Sequence, residues 1–501
     1  MPLSSTLLGT DAARDIGSLA LSLVDGGNPM LELRAAQWRN ALVKVGLPVP
    51  FWIVHDLGML TIAEPEGDFQ PRPAVGSLNL DGPMRGRVQE LLRVYGDTLR
   101  ELSTSEVLET ARQWRLADPL ISVLLLKVLG PLFERFDLAR STRAALLPLD
   151  PEVYTNLGGQ LPGLFNATER SVDIAFLEHV VAARVRLITA VEQIDLDTLR
   201  LLGMFGAEAS AAGAMEMVDL LNVFESPEAN DVVNFSLDLL PSVLETKKAS
   251  GQQSFAVDGY SGVDRRGTID SLVLSELAFD NELFERRFAE KEVFYYAHEK
   301  QHEEDRRLHY ILVDASASMR GQRAVFARGL ALTLVKKLQL QGEDVYLRFF
   351  DSRLYDVQHA RRGRVDGGGI SVPYVLCFRG ERGRNYAKVF NLLTTDLQRL
   401  QRQQRRTPIV YLMTHAQCHI PTETVERLRT FARLYGVFML PSNGDLELDY
   451  LHLLDKVEIV DSAALTQQEA RTQRALEIVD DATREEGSEV RAASIAPPSP
   501  V

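Results

Sequence analysis

The chain is poor in cysteine: 501 residues hold two, Cys377 and Cys418, too few for a disulfide framework and in keeping with a reducing compartment. It also lacks any run of about 20 apolar residues able to span a bilayer. Met1 to Asp25 has neither a basic start nor a long unbroken apolar core, so no secretory leader is read there and a cytoplasmic location is expected. Basic residues are in deficit, 55 lysines and arginines against 69 aspartates and glutamates, for a formal net charge of −14. That balance disfavours a general nucleic-acid binder or a protein of anionic membrane surfaces. Repeats of fixed period are missing, which argues against a solenoid. The run Asp366-Gly367-Gly368-Gly369 lacks the Lys-Ser/Thr that a phosphate-binding loop uses. With no paired nucleophile and base and no metal cluster in view, an enzyme is not expected.

What is present is ordinary for a globular chain, 45% hydrophobic and 25% charged, with length enough for two to four domains. Residues 1–250 read as a mostly helical domain. Met84 to Leu102 carries Val88, Leu91, Leu92, Leu99 and Leu102 at spacings of three and four, and similar stripes recur in Leu120 to Phe136, Val172 to Val191 and Met215 to Phe224. Phe51-Trp52-Ile53-Val54 and Met59-Leu60-Thr61-Ile62 instead suggest two short strands. Lys247 to Gly267 is small and polar and marks a domain boundary. Residues 251–307 then form a linker and a charged amphipathic helix or helix pair, with Leu277, Leu283, Phe288 and Phe294 among its apolar members.

Within that segment stands His298-Glu299-Lys300-Gln301-His302, a literal HExxH. On a helix the two histidines would share a face at i and i+4, the geometry of zinc hydrolases in which the glutamate is general base. The flanking Glu303-Glu304-Asp305-Arg306-Arg307 is a charge run, and no third ligand is evident downstream. A solvated helix face is the preferred reading, with a zinc metallohydrolase as the alternative function.

The most informative stretch is His309 to Met319, HYILVDASASM. Tyr310 to Val313 is apolar and β-branched enough to need cover on both faces, as a buried strand does. Asp314, Ser316 and Ser318 follow in alternation, so their oxygens converge in an extended loop, and Gly321 to Gln339 has helical periodicity. Glu343 to Phe350 supplies a second strand and completes a βαβ unit. An acid and two hydroxyls at such a turn suit Mg²⁺ or Mn²⁺.

Asp314-Ala315-Ser316-Ala317-Ser318 resembles the DxSxS signature of von Willebrand factor A-type (VWA) domains, whose metal-ion-dependent adhesion site (MIDAS) sits at this loop. The resemblance implies a C-terminal, Rossmann-like, doubly wound α/β domain over residues 308–482, preceded by the mostly α-helical region and followed by a disordered tail, 483–501. It further implies strands at Pro408 to Thr414, Val437 to Leu440 and Val457 to Val460, and helices at Tyr386 to Arg402, Thr422 to Leu434 and Ser462 to Asp480. Ser371 to Phe378 is read as one more strand, in a loop-rich section whose arginines (Arg361, Arg362, Arg364, Arg379, Arg382) are more often solvated than ligand-binding.

In A-type domains a threonine in a second loop and an aspartate in a third complete the site. Here Arg384 and Asn385 fall at the second-loop positions and His415 at the third, so the site is incomplete. Two arrangements follow: Asp314, Ser316 and Ser318 hold Mg²⁺ or Mn²⁺ weakly with help from Asn385 or neutral His415, or the guanidinium of Arg384 pairs with Asp314 and takes the metal's place. The second is preferred, because burying Arg384 beside a cation is costly. A helical region followed by a C-terminal A-type domain resembles the bacterial proteins that partner MoxR-type AAA+ ATPases. That implies a non-enzymatic adaptor for protein–protein interaction, bound to such an ATPase or its client, with no nucleic acid and no membrane span.

Overall fold

The structure, a computed structural model, describes residues 10–24, 28–64, 69, 79–136, 145–155, 157–167, 170–210, 217–257, 260–264, 273, 276, 281–289, 292–298, 307–360, 370–381, 383, 385–404, 406–441 and 446–483. Its contacts divide it into two compact units, Met1–Asn234 with Gly363–Arg379, and Phe235–Arg362 with Gly380–Val501.

The first unit is helical in every described element. α1 (Pro29–Lys44) begins where Asn28 caps it, its side chain accepting from the Met30 amide, and Pro29 fits the first turn because its missing N–H has no helical partner there. α2 (Phe51–Leu60) is buried at all ten positions. The two strands expected over Phe51–Ile62 are therefore one helix. A helix covered all round shows a continuous apolar run, which periodicity cannot tell from a buried strand. α3 (Gly82–Ser103) follows the predicted stripe, burying Val88, Leu92, Tyr95, Leu99 and Leu102 along one face. The strand expected over Ser371–Phe378 is a short helix, Val372–Cys377, with the Ser371 hydroxyl accepting from Tyr374 N–H and proline in the first turn. It packs in this unit against the helices Leu196–Ser210 and Met217–Glu225.

A long helix, α4 (Pro227–Val257), passes through residue 250, and the grouping of contacts changes within it, between Asn234 and Phe235. Of the segment 251–307, the described residues beyond Val257 hold a helix at Asn281–Ala289. Tyr295–His298 is instead a strand, antiparallel to Tyr260–Asp264.

The second unit is built on a six-stranded sheet: β1 (Leu308–Asp314), β2 (Asp344–Phe350), β3 (Gln358–Ala360), β4 (Pro408–His415), β5 (Arg433–Met439) and β6 (Lys456–Val460). Their spatial order is 3-2-1-4-5-6, and only β3 runs antiparallel to its neighbour. β1 and β4 lie side by side at the centre, buried at every residue. That is why both read as unbroken apolar runs. The chain goes outward from β1 to β2 and β3, then returns past β1 to β4 and outward again. The edge where β1 and β4 end is thus the point at which the strand order reverses, where ligand-binding crevices of open α/β sheets form.

Helices cover both faces. α5 (Gln322–Gln341) packs on β1, β2 and β4 and ends at Gly342, whose φ of 82° suits a left-handed cap. Phe235 of α4 stacks on Phe326, with ring centroids 5.6 Å apart. It fits there because position 329 is glycine: a Cβ would lie 2.4 Å from the Phe235 ring. On the other face α6 (Tyr386–Gln404) and α7 (Thr422–Arg429) enclose alternate residues of the strands, among them Leu308, Tyr310, Leu312, Val410 and Leu412. α8 (Gln468–Thr483) closes the chain beside α5. The fold is a doubly wound, mostly parallel sheet preceded by a helix-rich region. Among the described residues no helix is long and apolar enough to cross a membrane.

Candidate functional site

Four loops meet at the carboxyl edge of the sheet. The first leaves β1 at Asp314 and is tied to the end of β2 by the Ala315 N–H, which donates to the Phe350 carbonyl at 2.8 Å. The second leaves β2 at Asp351. The third comes in through Gly380 and Gly383, and side chains are excluded there. A Cβ at 380 would lie 2.7 Å from Asp351 Oδ2 and 3.1 Å from the Ala315 carbonyl oxygen, and one at 383 would lie 2.6 Å from Ser352 Cβ. The fourth leaves β4 at His415.

Asp314 is buried, and both its oxygens are met by neutral donors. The Ser316 amide donates to Oδ1 at 2.7 Å and the Thr414 hydroxyl to Oδ2 at 2.6 Å. Burial holds its pKa above the ordinary carboxylate value; the Thr414 hydroxyl and the Ser316 amide offset part of that, and Asp351 adds to it. His415 Nε2 stands 3.7 Å from Asp314 Oδ2 and 3.0 Å from the Tyr386 hydroxyl. Its other nitrogen, Nδ1, accepts from Gln417 N–H at 3.1 Å. A ring nitrogen that accepts carries no proton, so the proton of the neutral ring is on Nε2, facing Tyr386 and Asp314.

Asp351 forms a second knot beside the first. Its Oδ1 accepts from the Arg353 amide and its Oδ2 from the Tyr355 hydroxyl at 2.7 Å. That hydroxyl accepts in turn from Glu381 N–H at 2.7 Å. On the surface above it Arg353 pairs with Glu381 at 2.8 Å and lies over the Tyr355 ring.

Of the residues singled out from the sequence, Asp314 and Ser316 lie together, buried at the end of β1. Ser318 sits in the single 3-10 turn Ala317–Met319, half-buried. Asn385 is the cap of α6, its Oδ1 accepting from Lys388 N–H. Arg384 lies outside the described residues, as do Glu299 and His302. His298 is the last residue of a strand, and the rest of the HExxH, residues 299–302, lies outside the described residues. Thr414, Asp351 and Tyr386 were not picked out. The signals were a lone hydroxyl at the end of an apolar run, PIVYLMT, and a second acid directly after a buried strand, as Asp314 is.

The donors fit a divalent cation poorly. Asp314 and neighbouring Asp351 are the buried carboxylates described at this edge, and each of their oxygens already accepts a hydrogen bond. His415 presents an N–H where the A-type pattern has an acid. The Ser316 hydroxyl, buried at the same point, also acts on the Asp314 carboxylate and favours its charged form. Among the described residues no group of three or more histidine, cysteine or acidic side chains is placed to hold a metal.

No protein-family model matches the chain, and no curated protein does. Among solved structures it is similar to a von Willebrand factor type A protein from Catenulispora acidiphila, at 9% identity and a TM-score of 0.27 over 35% of this chain and 42% of that one. The chain thus spans about two fifths of that protein's length. It is also similar to a conserved hypothetical protein, BatB, from Bacteroides thetaiotaomicron, at 16% identity and a TM-score of 0.24 over 35% of this chain and 99% of that one.

Proposed function

We propose that the chain is a non-enzymatic adaptor whose α/β unit docks a protein partner at the carboxyl edge of its sheet, acting with a MoxR-type AAA+ ATPase that supplies the ATP chemistry. The observation that carries the reading is the meeting of four loops around buried Asp314, at the point where the strand order reverses. Such an edge presents loop side chains on a scaffold of parallel strands, which suits recognition. The DASAS motif and the order of a helical region before an A-type domain support the choice of partner class. The step from architecture to partner is one of analogy.

Arg353 and Glu381 offer a handle, since both are more than half exposed on this edge. The test is co-elution of the full chain with a MoxR-type ATPase from the same genome, with ATP present. The wild-type chain is expected to co-elute, and Arg353→Glu, which reverses a surface charge, is expected to abolish co-elution while circular dichroism stays unchanged. Co-elution that survives Arg353→Glu would move the docking site off this edge. No co-elution of the wild type would remove the ATPase partnership.

A further inference from the structure

In the A-type pattern a cation clips the loops at the sheet edge together. We infer that this edge keeps its shape without a divalent cation, because Thr414 and the His415–Tyr386 pair hold Asp314 and its loops where a metal would. Three observations lead there. Thr414 Oγ1 comes from the end of β4 and reaches the carboxylate at the end of β1, so the two central strands are joined by a direct 2.6 Å hydrogen bond. His415, one residue on, spans from β4 to the start of α6 through Tyr386, which ties the third loop to the fourth. The ring that makes this link is fixed by the Gln417 amide in the form whose Nε2 bears hydrogen, and an N–H cannot ligate.

A cation placed on Asp314 would therefore meet two carboxylates, Asp314 and Asp351, whose oxygens are all engaged, and an N–H dipole turned toward it. Mg²⁺ takes six oxygens at roughly 2.0–2.1 Å in near-octahedral order and gives up water reluctantly, so acids already held by other donors and a few hydroxyls make a weak site. The same reasoning singles out position 415. An acid there removes the N–H and adds the missing charge, while Ser316 Oγ, buried beside Asp314, supplies a further oxygen. Where the docking proposed above takes place, it needs no metal; that clause rests on the adaptor reading, and the metal test does not.

The experiment is calorimetric titration of MgCl₂ and of MnCl₂ into the full chain and into His415→Asp. The wild type is expected to give no saturable heat, and the variant to bind Mn²⁺ at least about tenfold more tightly than the wild type does. Saturable binding by the wild type that disappears in Asp314→Asn overturns the inference. So does a His415→Asp chain that folds, by circular dichroism, and still binds nothing. Should that variant not fold, the melting temperature of the wild type decides: equal values in EDTA and in excess Mg²⁺ uphold the inference, and a rise with Mg²⁺ overturns it. No partner enters either readout, so failure of the ATPase co-elution and failure of the metal test are told apart.

Discussion

Each of the two units buries acids; arginines balance two of them in the helical unit, while neutral donors meet Asp314 at the sheet edge. In the helical unit Asp15 accepts from Arg39 at 3.0 Å and from Arg14, and Asp173 accepts from Arg170 at 3.0 Å. Arg170 also donates to the carbonyls of Leu164, Phe165 and Arg14. Nearby in sequence, His55 Nε2 stands 2.9 Å from Glu32 while Asp56 accepts from the Ser22 hydroxyl and from the amides of Leu23 and Val24. In the sheet unit Asp314 meets a hydroxyl, an amide and a neutral imidazole. Burial is the largest cause of the upward pKa shift in Asp15, Asp173 and Asp314 alike. Partner chemistry is what differs. Separating buried opposite charges costs far more than breaking neutral hydrogen bonds, so the helical core resists rearrangement. At the sheet edge hydroxyl and amide donors take the place of a guanidinium.

Removing one charge from the helical network should give the largest effect. Arg39 is 1% exposed, and its Nε and Nη1 have no hydrogen-bond partner. Its role is therefore to balance Asp15 rather than to organise a wider network. Arg39→Met is expected to destabilise the chain by about 3–5 kcal/mol, because it leaves a buried carboxylate with Arg14 alone. Asp15→Asn in the same chain should recover much of that loss. Urea denaturation of the single and double variants measures both. A loss below about 1 kcal/mol in the single variant would mean that the helical unit opens readily at this point, and the contrast between the units would fail.

A smaller effect is expected from the neutral pairing in the sheet, where pH is the lever. His309 of β1 lies buried beside Tyr411, Nδ1 to hydroxyl 3.0 Å, and burial lowers its pKa to about 3 from an ordinary 6.5. A histidine whose folded pKa is depressed binds fewer protons in the folded state. Its contribution is then intact above the unfolded value and is lost as pH falls from about 6.5 toward 3. Over that window the wild type should lose roughly a few kcal/mol beyond what His309→Gln loses. Melting curves of the two chains from pH 7 to pH 4 check this, and parallel curves would place the acid sensitivity elsewhere.

How much of this could be read from the chain follows from the same physics. β1 and β4 were legible because a strand buried on both faces must be apolar throughout, and the Asp-Ser-Ser alternation after β1 marked the loop that proves to lie at the reversal of strand order. Apolar throughout is equally the signature of a helix sunk in a core, which is why Phe51–Leu60 read as strands. Val372–Cys377 misled for a related reason: the run is short, and its cap, Ser371, looks like any serine before a β-branched residue. At the site Asp314 and Ser316 were found by spacing along one loop. Thr414, Asp351 and Tyr386 join through space, from β4, β2 and α6, and spacing carries no trace of that. The amphipathic helix expected over 251–307 did not extend over Tyr295–His298 because that stretch pairs with Tyr260–Asp264, a tertiary contact that outweighs local propensity.

The smallest expected effect sharpens the contrast by taking burial away. Arg93 on α3 bonds to Glu90 at 2.9 Å, as close as the 3.0 Å Arg39–Asp15 pair, and reaches Asp97 at 3.4 Å. Its side chain is 64% exposed. Solvent screens such pairs and the long side chain must be ordered to make them, so Arg93→Ala should leave the urea midpoint where it is. Both substitutions remove a paired guanidinium from the same unit, one from the interior and one from the surface. A shift for Arg93→Ala comparable to that for Arg39→Met would mean that pairing itself stabilises these helices; no shift would assign the stabilisation to charge balance in a dry interior.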